Sequence, residues 1–401
     1  MRAYDPQRRM DLTVVGMISG TSHDAVDAAV GRLALEGDTV VLAPRGPHSR
    51  EIPEALRARI TGCLPPQPTT IEEVCRLDTE LGQLFGRVAA EAIAGLAPDG
   101  ADLVVSHGQT MFHWVQDDRC LGTLQLAAPA WIAEATGTTV VSDLRSRDVA
   151  RGGHGAPLAS TLDALLLLGP DAPRRGALNL GGIANITVRD RAGTVVAYDL
   201  GPASALMDAA VTALTGGRRR MDTDGAMAAR GRVDPGALAR LLDEPYYRLP
   251  APKSTGKETF HETYLQSRLG DHGLDGDDLL ATLTELTARL VAGACDAHGL
   301  DELVVAGGGV RNPTLMRRIS ALVAPATVRP LDELGLPAQA KEAYLFALLG
   351  FLAVHGLEGT IPSATGAARG SILGSLTPGR GPLALPEPWP TPVRRMRIGS
   401  R

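Results

Sequence analysis

Two stretches of the chain obey one rule. "GMISGTSHDAVDAAV" (16–30) and "LNLGGIANITV" (178–188) each run apolar into a short turn of glycine with hydroxyl or amide residues. Each then leaves the turn on a second alternating run, the pattern of a β-hairpin. Later in each half an apolar helical stretch precedes a similar strand, "DLVVSHG" (102–108) and "ELVVAGG" (302–308), ending in a polar or Gly-rich loop. Strand–loop–helix units recur in any α/β protein. The same order twice predicts a duplicated α/β domain, two lobes with an interlobe cleft. The linker "PDAPRRG" sets the boundary: an N-terminal lobe over 1–175, a C-terminal lobe over 176–380, and an irregular Pro-rich tail over 381–401.

The bulk numbers agree with two lobes. The chain has 401 residues, 44% hydrophobic and 21% charged, enough for two real cores. Helical spacing puts Leu77, Leu81, Leu84, Phe85 and Val88 on one buried face. The net charge of −5, without runs of like charge, argues against a nucleic-acid or anionic-membrane partner. The opening "MRAYDPQRRMD" lacks the apolar core of a signal peptide, and the apolar stretch 158–169 is broken by Asp163 and too short to cross a bilayer. A cytoplasmic protein is expected. Cys63, Cys75, Cys120 and Cys295 are scattered, with no zinc or CxxC spacing.

The first hairpin turn carries chemistry. Gly20, Thr21 and Ser22 would expose backbone N–H groups and hydroxyls, a nest suited to phosphate. Asp24 and Asp27 follow at once, and a carboxylate beside a phosphate site usually meets Mg²⁺. Such turns are common, and Asp27 could simply face solvent. Gly181, Gly182 and Asn185 in the second hairpin, Asp199 and Gly201 in "YDLGPAS", and Gly307, Gly308 and Gly309 in "VVAGGGVRNP" add backbone-exposed loops. None has the spacing of a dinucleotide fingerprint or a P-loop. In "RSRDVARGGHGAPL", Asp148 lies among Arg145, Arg147 and Arg151. It is either an ionised general base or half of a surface salt bridge. His107 and Gln109 in "SHGQT" offer polar edges to sugar hydroxyls or serve the core. The only lysines are Lys253, Lys257 and Lys341, compact charges suited to phosphate.

Taken in order, "GMISGTSHDAVDAAV", "LDTELGQLFG", "SHGQTMFH", "RSRDVARGGHGAPL", "LNLGGIANIT", "YDLGPAS", "MDTDGAMAARG", "PAPKSTGKETF", "VVAGGGVRNPTLM" and "KEAYLFALLG" resemble the anhydro-N-acetylmuramic acid kinase family over roughly residues 12–378. The resemblance implies the duplicated actin-like, ribonuclease H-like ATPase fold. It implies ATP and Mg²⁺ as cofactors, a small anhydrosugar as substrate, and a homodimer. The implied reaction is hydrolytic opening of the 1,6-anhydro ring with phosphorylation of O6, giving N-acetylmuramic acid 6-phosphate and ADP in peptidoglycan recycling. Asp148 matches the catalytic aspartate. ATP contacts are implied for Gly20, Thr21, Ser22, His23, Asp24, Ala25, Val26, Asp27, Gly181, Gly182, Asn185, Gly201, Gly307, Gly308, Gly309 and Asn312. Metal contacts are implied for Asp24 and Asp199, and sugar contacts for His107, Gln109, Arg147 and Glu342. The chain departs from the family pattern at Ala25, which stands for a glycine, at Leu200, Ala203 and Ser204, and at His23 and His154. Ala25 would crowd phosphates only if its backbone were left-handed. These departures leave room for a non-catalytic ATP or muropeptide sensor, or for a kinase of another sugar.

Overall fold

The computed structural model describes residues 11–399, apart from 118, 171, 252, 257, 258, 271, 272 and 275. The chain forms two compact units, residues 1–169 with 340–401, and residues 170–339.

The first unit opens with strands β1 (Asp11–Ser19), β2 (Ala25–Glu36) and β3 (Thr39–Glu51). Helices α1 (Glu54–Cys63) and α2 (Ile71–Leu96) follow, then β4 (Leu103–Gln116), β5 (Arg119–Leu126), α3 (Pro129–Thr136) and β6 (Val140–Ser142). The one-turn helix α4 (Ser146–Val149) and α5 (Ala159–Leu166) complete this segment. β1, β2 and β3 form an antiparallel meander, and β4 and β6 add in parallel beside β1. The order is therefore β3-β2-β1-β4-β6.

The second unit contains β7 (Arg175–Leu180), β8 (Ile183–Arg189), β9 (Val195–Pro202), α6 (Ser204–Leu214), α7 (Ala226–Arg230), α8 (Pro235–Leu242), α9 (Glu262–Leu269), α10 (Gly276–His298), β10 (Glu302–Ala306), α11 (Pro313–Val323) and β11 (Thr327–Pro330). β7, β8 and β9 again form an antiparallel meander, and β10 and β11 again add in parallel. The order β9-β8-β7-β10-β11 repeats this five-strand run of the first unit's sheet. The chain has the duplicated α/β fold that the two rhyming halves predict, in the actin-like, ribonuclease H-like form that the family resemblance implies.

The final segment returns to the first unit as α12 (Lys341–Val354), α13 (Pro362–Thr365), β12 (Ser375–Thr377) and β13 (Arg395–Ile398). This corrects the sequence boundaries: residues 340–380 do not belong to the second lobe, and the division falls at 169/170. The cause is local packing. Alternate residues of a strand face opposite sides. Val15 and Met17 join α2 in one core, and α12 covers the other side of β1 at Gly16. A Cβ on Gly16 would lie 2.0 Å from Ala343 O and 2.4 Å from Ala347 N. Gly350 makes the reciprocal approach, where a Cβ would meet Val105 at 2.2 Å. The tail is not wholly irregular either, since β13 pairs in parallel with β3.

The predicted face of α2 is buried at Leu77, Leu81, Leu84, Phe85 and Val88. Thr70 caps that helix by accepting from Glu73 N at 3.1 Å. Among the described residues no helix is long and apolar enough to cross a membrane.

Candidate active site

The β1–β2 turn is built by hydrogen bonds within its own few residues. His23 N donates to Gly20 O at 3.0 Å. Ser22 Oγ and Ala25 N both donate to Asp24 Oδ1, at 2.8 and 3.1 Å. Thr21, Ser22 and Asp24 are exposed, and Val26 is buried in the core. The left-handed residue of the turn is His23, at φ 41°. Ala25 is already the first residue of β2 and is not among the residues with positive φ. The methyl group that replaces glycine therefore costs no backbone strain. The His23 ring anchors the turn, with Nε2 2.9 Å from Thr61 Oγ1 on α1 and Nδ1 3.2 Å from Thr21 O. Asp27 does not simply face solvent: it accepts from Ser49 Oγ at 2.6 Å across the β2–β3 ladder. Ser19, at the end of β1, donates to Gln109 Oε1 of β4 at 2.6 Å, so Gln109 braces the turn from below.

The second cluster in this unit surrounds Asp148. It lies in α4, just beyond β6, and is fully buried, so it is no surface salt bridge. Its Oδ2 accepts from Gly155 N at 2.8 Å and its Oδ1 from Thr365 Oγ1 at 2.9 Å. Gly153 has to be glycine, because a Cβ there would lie 2.2 Å from Asp148 Oδ2. Arg145 organises the cluster. It donates from Nε to His107 Nε2 at 2.9 Å and from Nη1 to Gly155 O at 2.5 Å. His107 Nδ1 lies 2.9 Å from Gly108 O, so the ring is neutral with its proton on Nδ1, leaving Nε2 as acceptor. Burial and the Arg145 charge push His107 down to about 3. Burial likewise pushes Arg145 down to about 10, opposed by the charges of Glu342 and Asp148. Glu342 sits in the first turn of α12, exposed at the surface yet surrounded by protein atoms. That desolvation raises its carboxyl above the ordinary range, against the pull of Lys341 and Arg145, and Asp27 adds to the rise.

Among the predicted sugar contacts, His107 and Glu342 thus meet at Arg145 beside Asp148. Arg147 is exposed and makes no bond in this network. In the sequence Arg145 reads only as a flanking charge, and nothing there singles out Thr365. Thr365 is 217 residues from Asp148, and no local pattern signals the pairing. Lys341 is not an open phosphate ligand: it is buried against Asp163, Nζ to Oδ1 2.6 Å.

The second unit carries the remaining predicted residues. The Gly181 and Gly182 carbonyls accept from Ser204 N, Ala203 N and Ala205 N, which joins the β7–β8 turn to the start of α6. Asn185 and Asp199 stand opposite each other on β8 and β9. Asp199 Oδ2 accepts from Thr255 N at 3.0 Å. Gly201, at φ 147°, is a packing glycine: a Cβ would lie 2.8 Å from Tyr247 and from Leu290. Gly307 and Gly309 fit against Leu180, whereas Gly308 is exposed, and a Cβ there would meet only Arg311 Nη2, at 3.9 Å. Asn312 caps α11, its Oδ1 accepting from Thr314 N and Leu315 N. Lys253 donates to the carbonyls of Tyr246 and Tyr247. Lys257 and the N-terminal residues 1–10 lie outside the described residues.

Among the described residues no three His, Cys, Asp or Glu side chains gather as a ready-made metal centre. Mg²⁺ does not need one, since it is commonly held by one or two carboxylates with waters and substrate phosphates. Asp24 fits that use: its side chain is exposed, and the bonds from Ser22 and Ala25 both fall on Oδ1.

The family model described as anhydro-N-acetylmuramic acid kinase matches residues 12–379. A curated anhydro-N-acetylmuramic acid kinase from Streptomyces coelicolor is 55% identical over 96% of this chain and 99% of its own length. Relatives of the same name from Streptomyces avermitilis and Rhodococcus erythropolis are 54% and 51% identical, each over 96% of this chain and 99% of their own. With the repeated sheet and both loaded loops in place, the chain belongs to the anhydro-N-acetylmuramic acid kinase family.

Proposed function

We propose that this chain uses ATP and water to convert 1,6-anhydro-N-acetylmuramic acid into N-acetylmuramic acid 6-phosphate and ADP, a step of peptidoglycan recycling. Water attacks the anomeric carbon and gives a proton to Asp148. The C1–O6 bond breaks, and O6 takes the γ-phosphoryl group of ATP. The observation that carries this reading is the Asp148 carboxylate, held on both oxygens beside Arg145 and Glu342 in a chain that matches the family over residues 12–379.

Opening an acetal calls for a base on one side and a developing alkoxide on the other. The phosphoryl group captures that alkoxide, which couples the two halves. Phosphoryl transfer itself is mostly positioning and charge neutralisation. We assign the ATP phosphates to the Gly20–Asp27 turn of the first unit and to Gly181, Gly182 and Asn185 of the second. Gly308 offers exposed backbone to the adenosine, and Gly201, Gly307, Gly309 and Asn312 shape its surroundings. Mg²⁺, on Asp24 with Asp199 as the second candidate, would neutralise phosphate charge when bound. Gln109, Arg147, His107 and Glu342 are assigned to the sugar. The buried state of Asp148 requires the glycine loop 152–155 to move before water and sugar reach the carboxylate. Gly152 and Gly155, at φ 83° and 65°, supply the backbone freedom for that motion. A cytoplasmic homodimer completes the proposal.

Turnover in ¹⁸O-water tests it. Solvent oxygen is expected at C1 of the product, in step with phosphate at O6. Phosphorylation at O6 of a reducing hexose, with the anhydrosugar left untouched, would make the chain an ordinary hexose kinase. ATP or sugar binding without turnover would make it a sensor; the extended backbone of Ala25 counts against that outcome.

A further inference from the structure

We propose that Thr365 is a positioning residue that orients the Asp148 carboxylate for proton abstraction. This rests on the assignment of Asp148 as the base. Thr365 ends α13, far along the chain from α4, and is 1% exposed. Its hydroxyl has one proton, and the surroundings decide where that proton goes. Ala367 N points at Thr365 Oγ1 from 3.4 Å, so the oxygen is approached there by a donor. The hydroxyl proton is left to Asp148 Oδ1, 2.9 Å away. A carboxylate oxygen accepts this bond, which fixes the direction in which Asp148 Oδ1 points.

Thr365 also acts through its backbone. Its carbonyl accepts from His154 N at 2.8 Å. His154 precedes Gly155, whose N–H donates to the other oxygen, Oδ2. One residue thus bonds Oδ1 directly and steadies the loop that bonds Oδ2. The remaining charged or titratable groups around Asp148 are Arg145, Arg147 and Arg151 on its own segment, His107 from β4 behind Arg145, His154 on the glycine loop, and Glu342 from α12. None of these donates to Oδ1, so the effect on that oxygen falls to Thr365 among the described residues.

The test is kcat and KM for phosphorylated sugar, with Thr365→Val, Thr365→Ser and Asp148→Asn compared with wild type. Removing the hydrogen bond that aims a buried carboxylate should lower the kcat of Thr365→Val about tenfold, with KM little changed. Thr365→Ser keeps the donor and should leave kcat near that of wild type. If Thr365→Val does not fold, Thr365→Ala gives the same reading without adding a methyl to the pocket. An unchanged kcat in Thr365→Val, or a loss that Thr365→Ser shares in full, while Asp148→Asn is inactive, would reduce Thr365 to a packing role and overturn this inference alone. Full turnover by Asp148→Asn would remove both the base assignment and the role of Thr365.

Discussion

Ala25 stands where the family pattern has glycine, and its backbone decides what that means. The residue is extended and opens β2, so glycine there would add only chain entropy to the unfolded state. Ala25→Gly should leave the KM for ATP within about twofold and cost about 0.5–1 kcal/mol of stability, read from denaturant unfolding. Asp148→Asn keeps the shape of the side chain and removes its basicity. It should lower turnover by about 10²–10⁴-fold with ATP affinity largely kept, measured by calorimetry beside the rate. His107 ties pH to stability. Folding holds its ring at about 3 against an ordinary 6.5. Between those values the unfolded chain binds the extra proton, so this contribution is complete above pH 6.5 and drains away as pH falls toward 3. The slope is at most about 1.4 kcal/mol per pH unit. His107→Gln lacks that component, so the gap in Tm between wild type and variant should narrow from pH 7 to pH 4. A gap that stays constant would show the ring to be accessible to protons in the native state. At this scale sequence reading found the residue types and not their company. Asp148 and His107 stood out among their neighbours, but burial and the links through Arg145 and Thr365 depend on chain segments far apart.

Helix α12 shows how far a local pattern reaches. Its apolar residues predict a buried helix and say nothing about which sheet it covers. The partner is fixed by two glycines elsewhere, Gly16 under Ala343 and Ala347, and Gly350 over Val105. α2, by contrast, is legible from its own residues, because one apolar stripe and a capping threonine suffice. Gly16→Ala would drive a methyl into the backbone of α12, so the helix has to lift. The expected loss is about 2–3 kcal/mol or more, visible in thermal melts. Since Glu342 rides on the first turn of α12, the KM for the sugar should rise in the same variant while the KM for ATP changes less. The buried pair of Lys341 and Asp163 fastens this end of the helix to α5. Lys341→Met would leave the Asp163 carboxylate buried without its cation, a change that typically costs about 3–5 kcal/mol. Equal melting temperatures for Lys341→Met and wild type would mean that the pair contributes nothing to docking.

Across the whole chain, two copies of one sheet order are closed in different ways. The second copy is continuous: its core, from Leu178 to Val323, lies entirely within residues 170–339. The first copy is split, and residues 1–169 lack the helix that covers one face of β1 and the strand that pairs with β3. The duplication was legible because a hairpin turn and a strand-to-loop junction are local and recur. The return of the chain was not, because no feature near Gln339 announces it. A direct consequence concerns fragments. Residues 170–339 carry a complete hydrophobic core and should fold alone, with native-like helix content and a cooperative thermal transition. Residues 1–169 expose the sheet face over Gly16 and the unpaired edge of β3, and should aggregate or remain loosely ordered. Adding a peptide of residues 340–401 should recover a cooperative transition in that fragment. Cooperative folding of 1–169 without the peptide would mean that the closing segment decorates the first unit rather than completing it.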